Sequence, residues 1–198
     1  MSYNINSLSS DCYEKTNCLI NKLGIKDDNL LSVVEADITY GKLLNLEKNP
    51  VNGNFDTPHY KAIHKYLFED LYEWAGDFRK INISTKGTRF VESDRLDELC
   101  EKCFERLKAC NYFRGYCYED FVDNIVDFYC TLNMLHPFRE GNGRTQRVFI
   151  SQLIRYNGYD INFSKIDTDL LMIATIQSAH GVTDLLTDIF RENIVRKM

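Results

Sequence analysis

Proline is scarce in this chain, with three in 198 residues, and glycine reaches only ten. With no Pro/Gly-rich linker, internal repeat or low-complexity tract, a single domain over 1–198 is expected. No apolar run reaches membrane-spanning length. The start, "MSYNINSLSSDCYEK", lacks a basic segment followed by an apolar one. Membrane insertion and secretion by that route are therefore not expected, and a cytoplasmic location is. An excess of positive charge is missing too: the net charge is −5, which argues against binding nucleic acid by bulk attraction. The seven cysteines are odd in number and scattered. Cys100 and Cys103 have no second C-x-x-C to complete a four-thiolate zinc site, so reduced thiols are expected.

Helical periodicity dominates what is present. "NLLSVVEADITYGKLLNLEK" (29–48) predicts a helix, followed by the loop "NPVNGNFD". Thr57 is the expected cap of the next helix, with Pro58 in its first turn and Gly76 as its stop; Tyr60, Ile63, Leu67, Leu71 and Trp74 form its stripe. "RKINISTKGTRFVES" (79–93) instead alternates around "TKGT", which predicts a β-hairpin. Helix resumes near Asp94 and again over 119–135, where Phe121, Ile125, Phe128, Leu132 and Leu135 share one face. "RVFISQLIRYNG" reads as a central buried helix, and two more are expected near 166–179 and 184–196. The fold class is all-α with one short hairpin.

Between two apolar helices lies "HPFREGNGRTQR" (136–147), with almost nothing apolar in it. A helix ending before His136 and another starting near Gly143 or Arg144 would turn the backbone N–H groups of "REGNG" toward one point. Glycine permits the close approach, and the helix start is partly positive, so the stretch suits a phosphate chain. Arg144 and Arg147, three apart, share one side of that helix and offer guanidinium forks. Glu140 offers oxygen to a phosphate-bound Mg²⁺. His136 is the group able to take a proton near neutral pH.

At every fixed position the stretch resembles the Fic family pattern H-x-F-x-[DE]-G-N-G-R-x-x-R, through His136, Phe138, Glu140, Gly141, Asn142, Gly143, Arg144 and Arg147. "YEWAGDFR" (72–79) and "INISTKGTRF" (81–90) resemble the family's pre-flap and flap segments. The resemblance implies a Fic-type core over about 55–180 that transfers AMP from Mg·ATP to a Tyr, Thr or Ser hydroxyl of a target protein, releasing pyrophosphate. It implies His136 as general base, Phe138 as anchor of the loop, Glu140 as magnesium ligand, and Gly141, Asn142 (backbone and side chain) and Gly143 around phosphate. Arg144 and Arg147 would grip the β and γ phosphates. Doc-type members, which phosphorylate, carry lysine where this chain has Gly143, so the glycine favours AMP transfer. The flap Lys86, Gly87, Thr88, Arg89 and Phe90 would dock an extended target segment by strand pairing. Two other readings stay open: another phosphoryl-type transfer or removal of AMP, and a nucleotide-binding module without turnover. Homo-oligomerisation is also open.

Leu185, Leu186, Ile189 and Phe190 form the apolar stripe of the last helix, expected to start after a Thr183 cap. That stripe runs into Glu192 and Asn193, and a carboxylate there asks for a cation opposite, with Arg147 as the candidate. "DIFREN" resembles the family's inhibitory pattern [ST]-x-x-x-E-[GN], with Asp188 where Ser or Thr is usual. The resemblance implies restraint by Glu192 at the C-terminal end. "SVVEA" has the wrong spacing for that pattern, and "SDCYEK" is better explained as a helix start. His59, His64 and His180 read as structural or surface residues, Trp74 as core, and Arg79 and Arg89 as surface charge.

Overall fold

The structure, a computed structural model, describes residues 11–85 and 87–197. At its centre lies a helix with apolar residues on more than one face, α5 (Asn142–Tyr156), whose Phe149, Ile150, Leu153 and Ile154 are all completely buried. It is packed by α2 (Thr57–Phe68) and α4 (Tyr118–Leu135). The five residues of the predicted 119–135 stripe are all buried on α4. Removing a ring such as Phe149 from this core would cost about 3–5 kcal/mol. Around the centre lie α1 (Asp28–Lys48), α3 (Leu96–Ala109), α6 (Thr168–Ser178) and α7 (Asp184–Asn193). No helix among the described residues is long and apolar enough to cross a membrane.

Local chemistry sets the helix ends. Asp27 starts α1 by accepting from the Leu30 N–H at 2.8 Å. The cap of α2 is Asp56, which accepts from the His59 N–H at 2.9 Å; Thr57 is already helical, and Pro58 stays within the first turn. This helix stops at Phe68, well short of Gly76. The reason is His64: its buried Nδ1 accepts the Gly76 N–H at 2.9 Å, so 69–76 folds back as turns instead of extending the helix. Leu71 and Tyr72 are buried in the process.

The predicted hairpin is present but short. β1 (Ser84–Thr85) pairs antiparallel with β2 (Thr88–Arg89), Ser84 opposite Arg89 and Thr85 opposite Thr88. A second antiparallel pair was not predicted: β3 (Tyr159–Ile161) pairs with β4 (Ile194–Arg196). Because of it, the last helix ends at Asn193 rather than near 196. The Tyr118 hydroxyl fixes this exit by donating to the carbonyls of Arg191 at 2.8 Å and Ile194 at 3.0 Å. Thr183 holds the cap position of α7 without a side-chain bond.

Candidate active site

The loop 136–141 joins α4 to α5, and its two ends are left-handed. His136 closes α4 with φ 42° and ψ 55°, and Gly141 opens α5 with φ 78°. A left-handed conformation is unfavourable for a side-chain-bearing residue and persists only where the surroundings impose it. At Gly141 no other residue fits, since a Cβ would lie 2.1 Å from the Phe68 ring. The first backbone bond of α5 runs from Thr145 N to Gly141 O at 3.0 Å. The N–H groups of Asn142, Gly143 and Arg144 therefore precede the helical ladder and emerge at its positive end, a place for an anion.

Two side chains close the loop from within. Phe138 is fully buried and stacks on His64, with centroids 3.8 Å apart at 13°. Asn142 bonds the main chain of Phe138 at both ends: Oδ1 accepts from the N–H and Nδ2 donates to the carbonyl, each at 2.8 Å. The resemblance implies a phosphate contact for this side chain; here it is engaged with the main chain of its own loop. The amide shapes the loop, and the backbone N–H groups remain for the anion.

The arginines divide. Arg144, for which the resemblance implies a phosphate contact, turns back to α1 here. It is ion-paired with Glu35 and donates to Thr39 Oγ1 at 3.0 Å, and its guanidinium lies over the Phe68 ring at 4.8 Å. Glu35 is buried and also accepts from the Tyr72 hydroxyl. Arg147, half-buried, lies beside Gly143, where a Cβ would sit 3.2 Å from its Nη1. A lysine at 143 would press on that guanidinium. Burial lowers the Arg147 pKa, with the Arg144 charge adding to this and the Tyr129 hydroxyl, its hydrogen-bond partner, opposing it.

Glu140 sits between these groups. Burial, reinforced by the nearby Glu35, raises its carboxyl above the usual range; the Gly141 N–H, donating to Oε1 at 2.8 Å, and Arg144, at 3.5 Å, oppose the rise. Its backbone carbonyl faces His64 Nε2 at 3.0 Å. With Nδ1 already accepting from Gly76, Nε2 carries the His64 proton and donates it there. His64 is thus a completely buried strut joining α2, the 69–76 turns and the loop.

His136 is buried, and its ring stacks on Phe90 with centroids 3.8 Å apart at 11°. Its Nδ1 faces the Asn133 carbonyl at 3.3 Å, so Nδ1 carries the proton and the basic lone pair is on Nε2. Burial depresses its pKa to about 3, with the Arg79 charge pressing the same way. Arg79 is the main surprise: expected on the surface, it is 4% exposed and its side chain donates to main-chain carbonyls at the edge of the site. In the sequence it is marked only by its place at the end of "YEWAGDFR" and the start of the alternating segment 79–93.

The flap residues split by side. Thr88 and Phe90 are buried, while Gly87 at φ 80° and Arg89 face outward, Arg89 beside Glu92 at 3.5 Å. Lys86 lies outside the described residues. Phe90 covers His136. At the other end of the chain Glu192 is exposed, and no ion pair joins it to Arg147 among the described residues. The stripe of Leu186, Ile189 and Phe190 continues through Asn193 and the buried Ile194, which leaves Glu192 off its axis. Arg191 instead gathers Asp188 and Glu119, each at 3.1 Å.

Residues 54–154 match the Fic/DOC family. The chain is 36% identical over 188 residues to the protein adenylyltransferase VbhT of Bartonella schoenbuchensis, covering 94% of this chain but 39% of that protein. It is 31% identical to a probable protein adenylyltransferase Fic of Salmonella typhimurium, covering 92% of this chain and 90% of the relative. Among solved structures, the BepC protein of Bartonella tribocorum with bound AMPPNP superposes with a TM-score of 0.88 at 27% identity, over 95% of this chain and 97% of that one. An ADP-bound N-terminal Fic domain from Bartonella quintana gives a TM-score of 0.88 at 30% identity, over 94% and 95%. With its motif folded into one loop and these relatives around it, the chain belongs to the Fic/DOC family.

Proposed function

We propose that this chain is a protein adenylyltransferase that transfers AMP from Mg·ATP to a hydroxyl of a target protein. The observation that carries the reading is the α4–α5 junction, where a His136 with a fixed tautomer and the open N-terminus of α5 flank one loop. The target oxygen attacks the α-phosphorus, the bond to the β-phosphate breaks, and pyrophosphate leaves. The hydroxyl proton passes to His136 Nε2, a step worth about 10²–10⁴-fold. The first turn of α5 and Arg147 receive the phosphate charge. Arg144, held by Glu35, braces that turn.

Magnesium fits Glu140. A buried carboxyl raised by a neighbouring acid gains from a cation, and Glu35 is already committed to Arg144 and Tyr72. One carboxylate with substrate phosphates is an ordinary magnesium environment, and the ion would neutralise charge on the departing pyrophosphate. The outward side of the hairpin, with Gly87 and Arg89, suits pairing with an extended target segment. Displacing Phe90 then admits the hydroxyl and rehydrates His136, which brings its pKa back toward the range of a working base.

The test is labelling of cell extract with ATP radiolabelled at the α or the γ position. Protein labelled from the α position alone supports AMP transfer; label from γ alone overturns it in favour of phosphorylation. A second reading, nucleotide binding without turnover, draws on the Phe90 cover. It would stand if Phe90→Ala bound ATP yet labelled nothing.

A further inference from the structure

We propose that Arg79 is a positioning residue that fastens both roots of the flap to the general base, so that flap and His136 move as one unit. The inference rests on the adenylyltransferase reading. The Arg79 guanidinium meets four carbonyls from three segments. Nε donates to His136 O at 2.9 Å, Nη1 to Ile81 O at 2.7 Å, and Nη2 to Val91 O and, at 3.4 Å, to Leu135 O. Its own backbone N–H donates to Pro137 O at 2.8 Å. Ile81 leads into β1 and Val91 follows β2, while Leu135 and His136 end α4. The Val91 N–H adds a bond to Met134 O at 3.1 Å.

This arrangement has a physical logic. The last carbonyls of α4 lack helical partners and carry the negative end of the helix, so a buried cation is well placed there. The planar fork is what allows one side chain to serve three segments; a lysine has a single nitrogen and cannot span them. His136 holds an unfavourable left-handed backbone, and the bond to its carbonyl is what opposes relaxation. Phe90 sits one residue before Val91, so a displaced flap pulls on the guanidinium and through it on the base. The phosphate cradle is built by other contacts: Gly141 against Phe68, Asn142 onto Phe138, and Arg144 onto Glu35. Loss of Arg79 should therefore misplace the base and spare the nucleotide site.

The experiment compares the full chain with Arg79→Gln and Arg79→Lys, measuring ATP affinity, the rate of AMP transfer and the NMR titration of His136. Burial, the Asn133 carbonyl and the Arg79 charge are the influences on that ring. Arg79→Gln is expected to slow transfer roughly 100-fold with ATP affinity held within about twofold, since a displacement near ~1 Å costs that much. Its His136 titration should move to higher pH once the charge is gone. Arg79→Lys, which keeps the charge without the fork, should slow transfer with little movement of that titration. An unchanged rate in folded Arg79→Lys, or parallel losses of rate and ATP affinity in either variant, would overturn the proposal. If Arg79→Gln does not fold, the lysine variant decides. If the wild-type chain transfers no AMP, the activity reading fails by itself. In that case an unmoved His136 titration in Arg79→Gln would still sink the positioning claim.

Discussion

His64 and His136 are built alike and differ in one respect. Each imidazole lies flat on a phenylalanine 3.8 Å away, His64 on Phe138 and His136 on Phe90. Burial holds both near a pKa of about 3. The difference lies in what the ring nitrogens face. His64 gives both to the main chain, one to Gly76 and one to Glu140. At His136 a carbonyl fixes Nδ1 at the longer distance of 3.3 Å, and the basic lone pair lies on Nε2 beneath a ring carried by a hairpin. Phe138 belongs to the core, whereas Phe90 lies just after the two-residue strand β2, outside that core. A strongly depressed histidine pKa therefore does not by itself mark a working base. What separates the two rings is the setting of their nitrogens and of the phenylalanine that covers each.

Replacing each histidine separates the roles most sharply. His136→Ala should lower AMP transfer by about 10²–10⁴-fold and cost less in urea unfolding than His64→Ala, since the His136 ring stacks on Phe90, outside the main core. His64→Ala should cost about 3 kcal/mol in the same unfolding assay, because it leaves the Gly76 N–H and the Glu140 carbonyl unpaired and opens a hole beside Phe138. Wild-type stability in His64→Ala would break the comparison.

Acid tests both rings together. An unfolded histidine takes up its proton near pH 6.5, and each folded ring resists until about pH 3. Between these values the unfolded state binds more protons, so stability falls as pH drops, at about 1.4 kcal/mol per unit for each ring. Unfolding free energy measured from pH 7 to pH 4 checks the sign, and His64→Ala should remove that ring's share of the slope, leaving His136 and the burial-depressed His59 to supply the rest. The smallest effect is expected at the other end of the chain: Glu192→Gly should alter AMP transfer by less than about twofold, as for an exposed carboxylate with no ion pair among the described residues. A large gain would support the inhibitory role that the motif implies.

Much of this was legible because the signals were periodic or dense. The stripe of α4 and the run in α5 named their buried faces correctly, and the loop motif gathers in one place. What escaped depended on partners distant in sequence. The early end of α2 follows from a bond between His64 and Gly76, which no helix period encodes. Glu35 looked like part of a badly spaced motif until α1 brought it to Arg144. Arg79 and the β3–β4 pair were hidden for the same reason, since carbonyl acceptors have no sequence signature. The placement of Glu192 escaped for a different reason: a stripe read three or four residues onward has two continuations, and packing chose Asn193 and Ile194.

The aromatic roof over His136 has a consequence for economy of substrate. Water is always present at high concentration and competes with any protein alcohol for the activated phosphorus. On the adenylyltransferase reading, a base that is shielded and kept weakly basic while no acceptor is docked would not recruit that water, and nucleotide would stay whole until the hairpin is engaged. Release of free AMP in the absence of protein acceptors should accordingly be slow in the wild type and faster in Phe90→Ala, by about tenfold if exclusion of solvent is the roof's purpose.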